Sequence, residues 1–141
     1  MSTKQLATFY AGGRFLGIEV TRVQEVIRYQ EITRAPLARG EIRGLINLRG
    51  VIVMALDLRR RLGLPDDATE LPMNVVVRAD DGLVSFLVDR IGDVVQVDEE
   101  QFEEPPETLR GAARDVVRGV YKLDGALLLE LDTDRALEGA A

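Results

Sequence analysis

The chain has 141 residues, 46% hydrophobic and 30% charged, with a formal net charge of −6 and a mean hydropathy near zero. That length suits one domain able to bury its own core without covalent staples, and that composition is the profile of a globular protein rather than a disordered or membrane-spanning one. Histidine and cysteine are absent and serine occurs only as Ser2 and Ser85, which removes the usual general bases, activated nucleophiles, thiolate metal sites and disulfides.

In chain order, "LATFY" (6–10) and "RFLGIEV" (14–20) flank the turn "AGG" and predict a β-hairpin. Thr21 with Gln24 fits a capping box, and Val20, Val23, Val26 and Ile27 recur at helical spacing, which predicts a helix over residues 20–28. Beyond Pro36, the apolar runs "GLINL" (44–48) and "VIVMAL" (51–56) flank Arg49-Gly50 as a second hairpin. Asp57 then caps a short helix that Gly63 and Pro65 stop. A third hairpin follows in "NVVVRA" (74–79), "DDG" and "LVSFLV" (83–88). Residues 89–95 contain Gly92 and several β-branched side chains, so they read as strand or turn. After Pro105-Pro106 the last two runs flank Asp124-Gly125, a strong hairpin signal, and Asp132 caps a final helix.

The most informative feature is internal. "IRGLINLRGVIVMALDLRRRL" (42–62) lies over "VRGVYKLDGALLLELDTDRAL" (117–137) without a gap at an offset of 75. Arg43-Gly44 meets Arg118-Gly119, Gly50 meets Gly125, and Asp57 meets Asp132. Upstream, residues 9–27 match 77–95 more weakly at offset 68. The chain therefore reads as a single domain, residues 1–141, made of two related β units at approximately 6–62 and 74–137. Many short strands with Gly-marked turns argue for an all-β fold with short helices, two packed small barrels rather than an α/β sheet. The runs "GLINL", "VIVMAL", "NVVV" and "ALLLEL" are apolar on both faces for much of their length, so some strand faces meet something other than water, either a seam between the units or a partner's surface.

Charge is divided between the halves. Residues 1–61 hold 11 basic and 5 acidic side chains, and residues 62–141 hold 7 basic and 19 acidic ones. The arginines are scattered among apolar positions without interleaved aromatics, which disfavours nucleic acid as a partner. No apolar run approaches the roughly 18 residues that cross a bilayer, and the N-terminus lacks the apolar centre of a signal peptide, so no membrane insertion and a cytoplasmic location are expected. The 24 acidic residues leave one reading of a different class, a carboxylate-based metal-binding protein or hydrolase. No acidic motif of ligand spacing supports it, and neither a metal site nor a cofactor is expected.

The order "GIEVTRVQEV", an isolated Pro36, "NLRGVIVMALDLRRRLGL", "FLVDRIGDVVQV" and "VRGVYKLDGALLLELD" resembles the CheW family, the coupling proteins of bacterial chemotaxis arrays, from Leu6 to Leu137. The resemblance implies two packed five-stranded SH3-like barrels. It also implies a non-catalytic adaptor that binds the cytoplasmic tip of methyl-accepting chemoreceptors and the regulatory domain of the histidine kinase CheA, at the inner face of the membrane. Other CheW copies in an array are further implied partners. An adaptor of the same family serving gliding or pilus-based motility is the alternative within this class. Carried over by motif, the receptor groove takes Val23 and Glu25 from "RVQEV" and Arg49 from "NLRG". Ile91 and Val94 join them as repeat counterparts of Val23 and Val26. Kinase contacts are expected on the first barrel, without assigned residues.

The plainer readings stand beside these. Val23, Ile91 and Val94 have the spacing of core residues, and Glu25 fits a solvated position paired with Arg22 or Arg28. Gly44, Gly50, Gly119 and Gly125 read as structural turn residues. Arg49 is harder to explain locally, because the repeat places Asp124 in its slot and Asp-Gly serves such a turn at least as well.

Overall fold

The computed structural model describes residues 2–34, 40–65 and 70–138; Pro36 and part of the joint between the units lie outside these. Among the described residues ten strands run β1 (Thr3–Ala11), β2 (Arg14–Glu19), β3 (Val23–Ile27), β4 (Ile42–Leu48), β5 (Val51–Asp57), β6 (Met73–Ala79), β7 (Gly82–Val88), β8 (Arg90–Asp98), β9 (Val117–Leu123) and β10 (Ala126–Leu131). Among the described residues three short α-helices, α1 (Leu58–Arg61), α2 (Gly111–Val116) and α3 (Thr133–Leu137), and two 3₁₀ turns, Val20–Arg22 and Glu99–Gln101, complete the order. The strands form two five-stranded sheets, sheet I in the order β8-β1-β2-β10-β9 and sheet II in the order β3-β6-β7-β5-β4.

These orders are the same plan written twice, with β1–β5 standing for β6–β10. Each unit, however, gives its first hairpin to the other unit's sheet. β1 and β2 lie among β8, β9 and β10, with β2 parallel to β10. β6 and β7 lie among β3, β4 and β5, with β7 parallel to β5. The sheets therefore do not coincide with the contiguous units 6–62 and 74–137. The exchange follows from the two-faced hairpins. Val75 and Val77 face one cluster while Val76 between them faces another, so such a strand needs cover on both sides.

Three clusters fill the interior. Sheet II directs Ile46, Leu48, Val53, Ala55, Val76 and Leu87 into one, with Ile27 of β3 packed on it, so all five strands curl around it. Sheet I does the same with Leu6, Val97, Tyr121 and Leu128, joined by Phe15 of β2. Between the sheets lies the largest cluster, built from Phe9, Leu16, Ile18 and Leu129 of sheet I and Val75, Val84, Phe86 and Leu56 of sheet II. Each such fully buried side chain contributes about 1.5–3 kcal/mol relative to exposure. The expected seam is this shared core.

Local signals hold at the helix starts. The Asp57 side chain accepts from Arg60 N and that of Asp132 from Arg135 N, capping α1 and α3. Two expectations need correction, and one helix was not expected. Residues 20–28 do not form a helix: one 3₁₀ turn, Val20–Arg22, leads into β3. The β-branched Val23, Val26 and Ile27 pair with β6, and burial alternates along them with the period of a strand. Gly44 and Gly119 do not sit in turns but inside β4 and β9. A Cβ at Gly44 would lie 2.1 Å from the carbonyl oxygen of Thr33, and one at Gly119 would lie 2.6 Å from that of Glu103. Each glycine lets a preceding segment cross its strand, through the bridges Thr33–Leu45 and Glu103–Val120. Finally, α2 carried no periodic signal strong enough to predict from its six residues.

Candidate partner-binding site

The hairpin between β4 and β5 closes with Leu48 paired to Val51, leaving Arg49-Gly50 as a two-residue tip. Both tip residues have positive φ, 50° at Arg49 and 88° at Gly50, the signature of a tight turn matched to strand twist. Gly50 N donates to Asn47 Oδ1 at 2.8 Å, which fixes the turn from inside. Among the described residues Arg49 is the only non-glycine residue with positive φ. An arginine there carries a steric cost that Gly, Asn or Asp would reduce.

The cost is met by a partner on another strand. Arg49 Nη1 donates to Glu25 Oε1 at 3.1 Å, and Nη2 pairs with Glu25 Oε2, a forked guanidinium–carboxylate contact. The hydrogen bonds to Glu25, with its negative charge, raise the guanidinium pKa above the ordinary arginine value. Glu25 reaches this point because β3 bulges at Gln24: Val23 pairs with Val77 and Glu25 with Val76, one residue out of simple register. The Arg49 side chain remains 70% exposed, so the pair stands at the surface with its outer face open.

The other predicted positions divide. Val23 is half-buried and packs against the shared core, and Ile91 on β8 does the same from the opposite sheet. Val94, four-sevenths exposed at 57%, presents its side chain to solvent, as does Val26 on β3. Thus β3 and β8, each outermost in its sheet, carry equivalent pairs in which one apolar residue points inward and one outward. Glu25 and Arg49 are brought into direct contact, whereas Ile91 and Val94 belong to the matching strand of the other sheet. The sequence marked Val26 as an apolar position of the expected helix and as the repeat counterpart of Val94, and not as an outward-facing residue. Val51 and Ile52, exposed beside the tip, sit in a run whose continuous apolar character hid which residues face out.

Among the described residues no three acidic, histidine or cysteine side chains cluster to hold a metal ion, and no helix is long and apolar enough to cross a membrane. An exposed charged fork beside scattered apolar side chains is suited to reading another macromolecule's surface.

The CheW-like domain family matches residues 5–141. The chain belongs to that family. The CheW chemotaxis protein of Bacillus subtilis is 31% identical over 136 residues, covering 96% of this chain and 87% of the relative. That of Thermotoga maritima is 31% identical over 134 residues, with 95% and 87% covered. The crystal structure of the scaffolding protein TtCheW from Thermoanaerobacter tengcongensis is similar with a TM-score of 0.83 at 26% identity, covering 93% of this chain and 90% of that one. The fold is thus the CheW-like pair of five-stranded β units with short helices. Members of the family are non-catalytic chemotaxis scaffolds, in keeping with the absence of histidine and cysteine.

Proposed function

We propose that this chain is a cytoplasmic adaptor that couples the tip of a methyl-accepting chemoreceptor to the regulatory domain of the histidine kinase CheA. The observation that carries the reading is Arg49, an arginine held at positive φ on an exposed tip and forked to Glu25. Local folding prefers other residues there, as Asp124 in the repeat illustrates, so the charge is kept for something outside the chain.

In this reading the receptor's helical hairpin lies between β3 and β8. Val23 and Ile91 form its apolar floor, Val94 and Val26 meet helix side chains at the rim, and Glu25–Arg49 fixes orientation. A helix laid in such a cleft offers apolar anchors at helical spacing, and a charged rim selects register more than it adds affinity. The kinase contacts the first barrel. Co-sedimentation of receptor-tip fragments with the kinase, with and without this protein, tests the coupling. The reading expects kinase in the receptor pellet only when the chain is added; kinase sedimenting equally without it contradicts the proposal.

A further inference from the structure

The backbone passes from one sheet to the other at two places, from β2 to β3 and from β7 to β8. Both crossings are tied by an arginine–aspartate pair to a short helix. At the second crossing Asp89 receives Arg59 of α1 twice, Nε to Oδ1 at 2.8 Å and Nη2 to Oδ2 at 2.7 Å. The backbone N–H of Gly12, in the β1–β2 turn, donates to the same carboxylate at 2.8 Å. At the first crossing Arg22 Nη2 donates to Asp134 Oδ1 of α3 at 3.0 Å and to the carbonyl oxygen of Arg78 at 2.8 Å. Arg78 Nη1 returns a bond to the carbonyl oxygen of Thr21 at 2.6 Å.

Arg59 and Asp134 occupy the same slot of the repeat, 75 residues apart. Each helix reaches the crossing beside it, but acid and base have changed places. We infer that these charge-inverted clamps set the orientation of β8 relative to β3, and that they do so unequally. The Asp89 side chain is 25% exposed and takes three hydrogen bonds from two elements. The Asp134 side chain is 76% exposed and meets Arg22 through a single oxygen. Solvent and salt screen the second clamp far more than the first. β8 is therefore the fixed strand of the two and β3, which carries Glu25, is the adjustable one. Arg22 and Arg59 are positioning residues, acting on the strands rather than on a partner.

The consequence for docking rests on the function proposed above, so the test measures the frame and not binding. The chain has no cysteine, so Gln24→Cys on β3 and Gln96→Cys on β8 accept spin labels at two exposed sites, and pulsed electron resonance gives their distance distribution in the full chain. Arg22→Gln should broaden it, and about 1 M salt should broaden the parent to a similar width, since screening is then effective within about 3 Å. Asp89→Asn should broaden it further. Arg59→Lys, which keeps the charge and loses the fork, should fall between parent and Asp89→Asn. The exchanged pair Arg22→Asp with Asp134→Arg should recover the narrow distribution that Arg22→Asp alone loses. Parental widths in Arg22→Gln and Asp89→Asn, or an exchanged pair as broad as its single variant, would overturn the inference.

Discussion

Sheets I and II share one strand plan, one pair of capped helices and one pair of strand glycines, yet they spend their polar residues in different places. Sheet II puts its distinctive charges outside, in the Glu25–Arg49 fork at the tip of β4–β5. Sheet I puts Asp124 at the corresponding tip and places a charge inside instead. Glu130 is 1% exposed and accepts from Lys4 Nζ at 2.9 Å, where the repeat gives sheet II the buried Ala55. A duplicated frame has thus been kept while its two copies diverged, one toward internal pairing and one toward a surface charge. The frame constrains the glycines and caps in both copies; the side chains free to differ are those that serve something beyond the frame.

The largest expected effect breaks the internal side of this contrast. Lys4→Met leaves Glu130 buried with the distant Arg118, 4.0 Å away, as its remaining ion-pair partner among the described residues, and should lower unfolding free energy by about 3 kcal/mol in a urea titration. Lys4→Met with Glu130→Ala, which copies the apolar solution of sheet II, should recover most of that loss. A double variant no more stable than the single would show that the pair is not what distinguishes the two sheets.

Next come the shared glycines. Gly44→Ala should cost about 3 kcal/mol and Gly119→Ala about 2 kcal/mol by the same titration. Both would meet a backbone oxygen, but the closest obstruction at Gly119 is the side-chain ring of Phe102, whereas at Gly44 it is the backbone carbonyl of Thr33. Equal costs would mean that the two crossings are more alike than their contacts indicate.

A smaller effect concerns pH. Burial alone would raise the Asp89 carboxyl pKa, but Arg59 and the Gly12 amide outweigh it and hold the group below its ordinary 3.8. Its contribution to stability is therefore complete above about pH 3.8 and is lost as pH falls through the lower folded value. For Lys4, burial favours the neutral amine, and Glu130 more than reverses this, raising the pKa above 10.5; that contribution is complete below 10.5 and is lost as pH rises through the folded value. Thermal unfolding followed across pH should show a plateau with losses at both ends. Asp89→Asn should flatten the acid limb and leave the alkaline one, and an unaltered acid limb would remove Asp89 from the account.

Much of the frame was legible because it repeats. A gapless 21-residue match fixed the hairpins of β4–β5 and β9–β10 and both aspartate caps, and alternating or two-faced apolar runs marked the remaining strands other than β3. What escaped depended on tertiary pairing. Val20, Val23, Val26 and Ile27 satisfy a helical spacing, yet β6 offered a ladder that so short an isolated helix could not rival. The exchange of hairpins left no local trace, since each hairpin looks the same whichever sheet accepts it. Gly44 and Gly119 announced backbone freedom but not that a neighbouring segment would press on them. In the candidate site, Arg49 stood out because Asp124 replaced it in the repeat, while the inward and outward roles of Ile91 and Val94 needed the register of β8 against β1.

The most direct test of the central claim compares the two hairpin tips in a titration with a receptor-tip fragment. Arg49→Glu should leave the fold intact and weaken binding about thirtyfold, the size expected of an interface hot spot, whereas Asp124→Lys should stay within about twofold of the parent. Unchanged affinity in Arg49→Glu, or equal losses in both variants, would contradict the claim that the charge at the β4–β5 tip is there to read a partner.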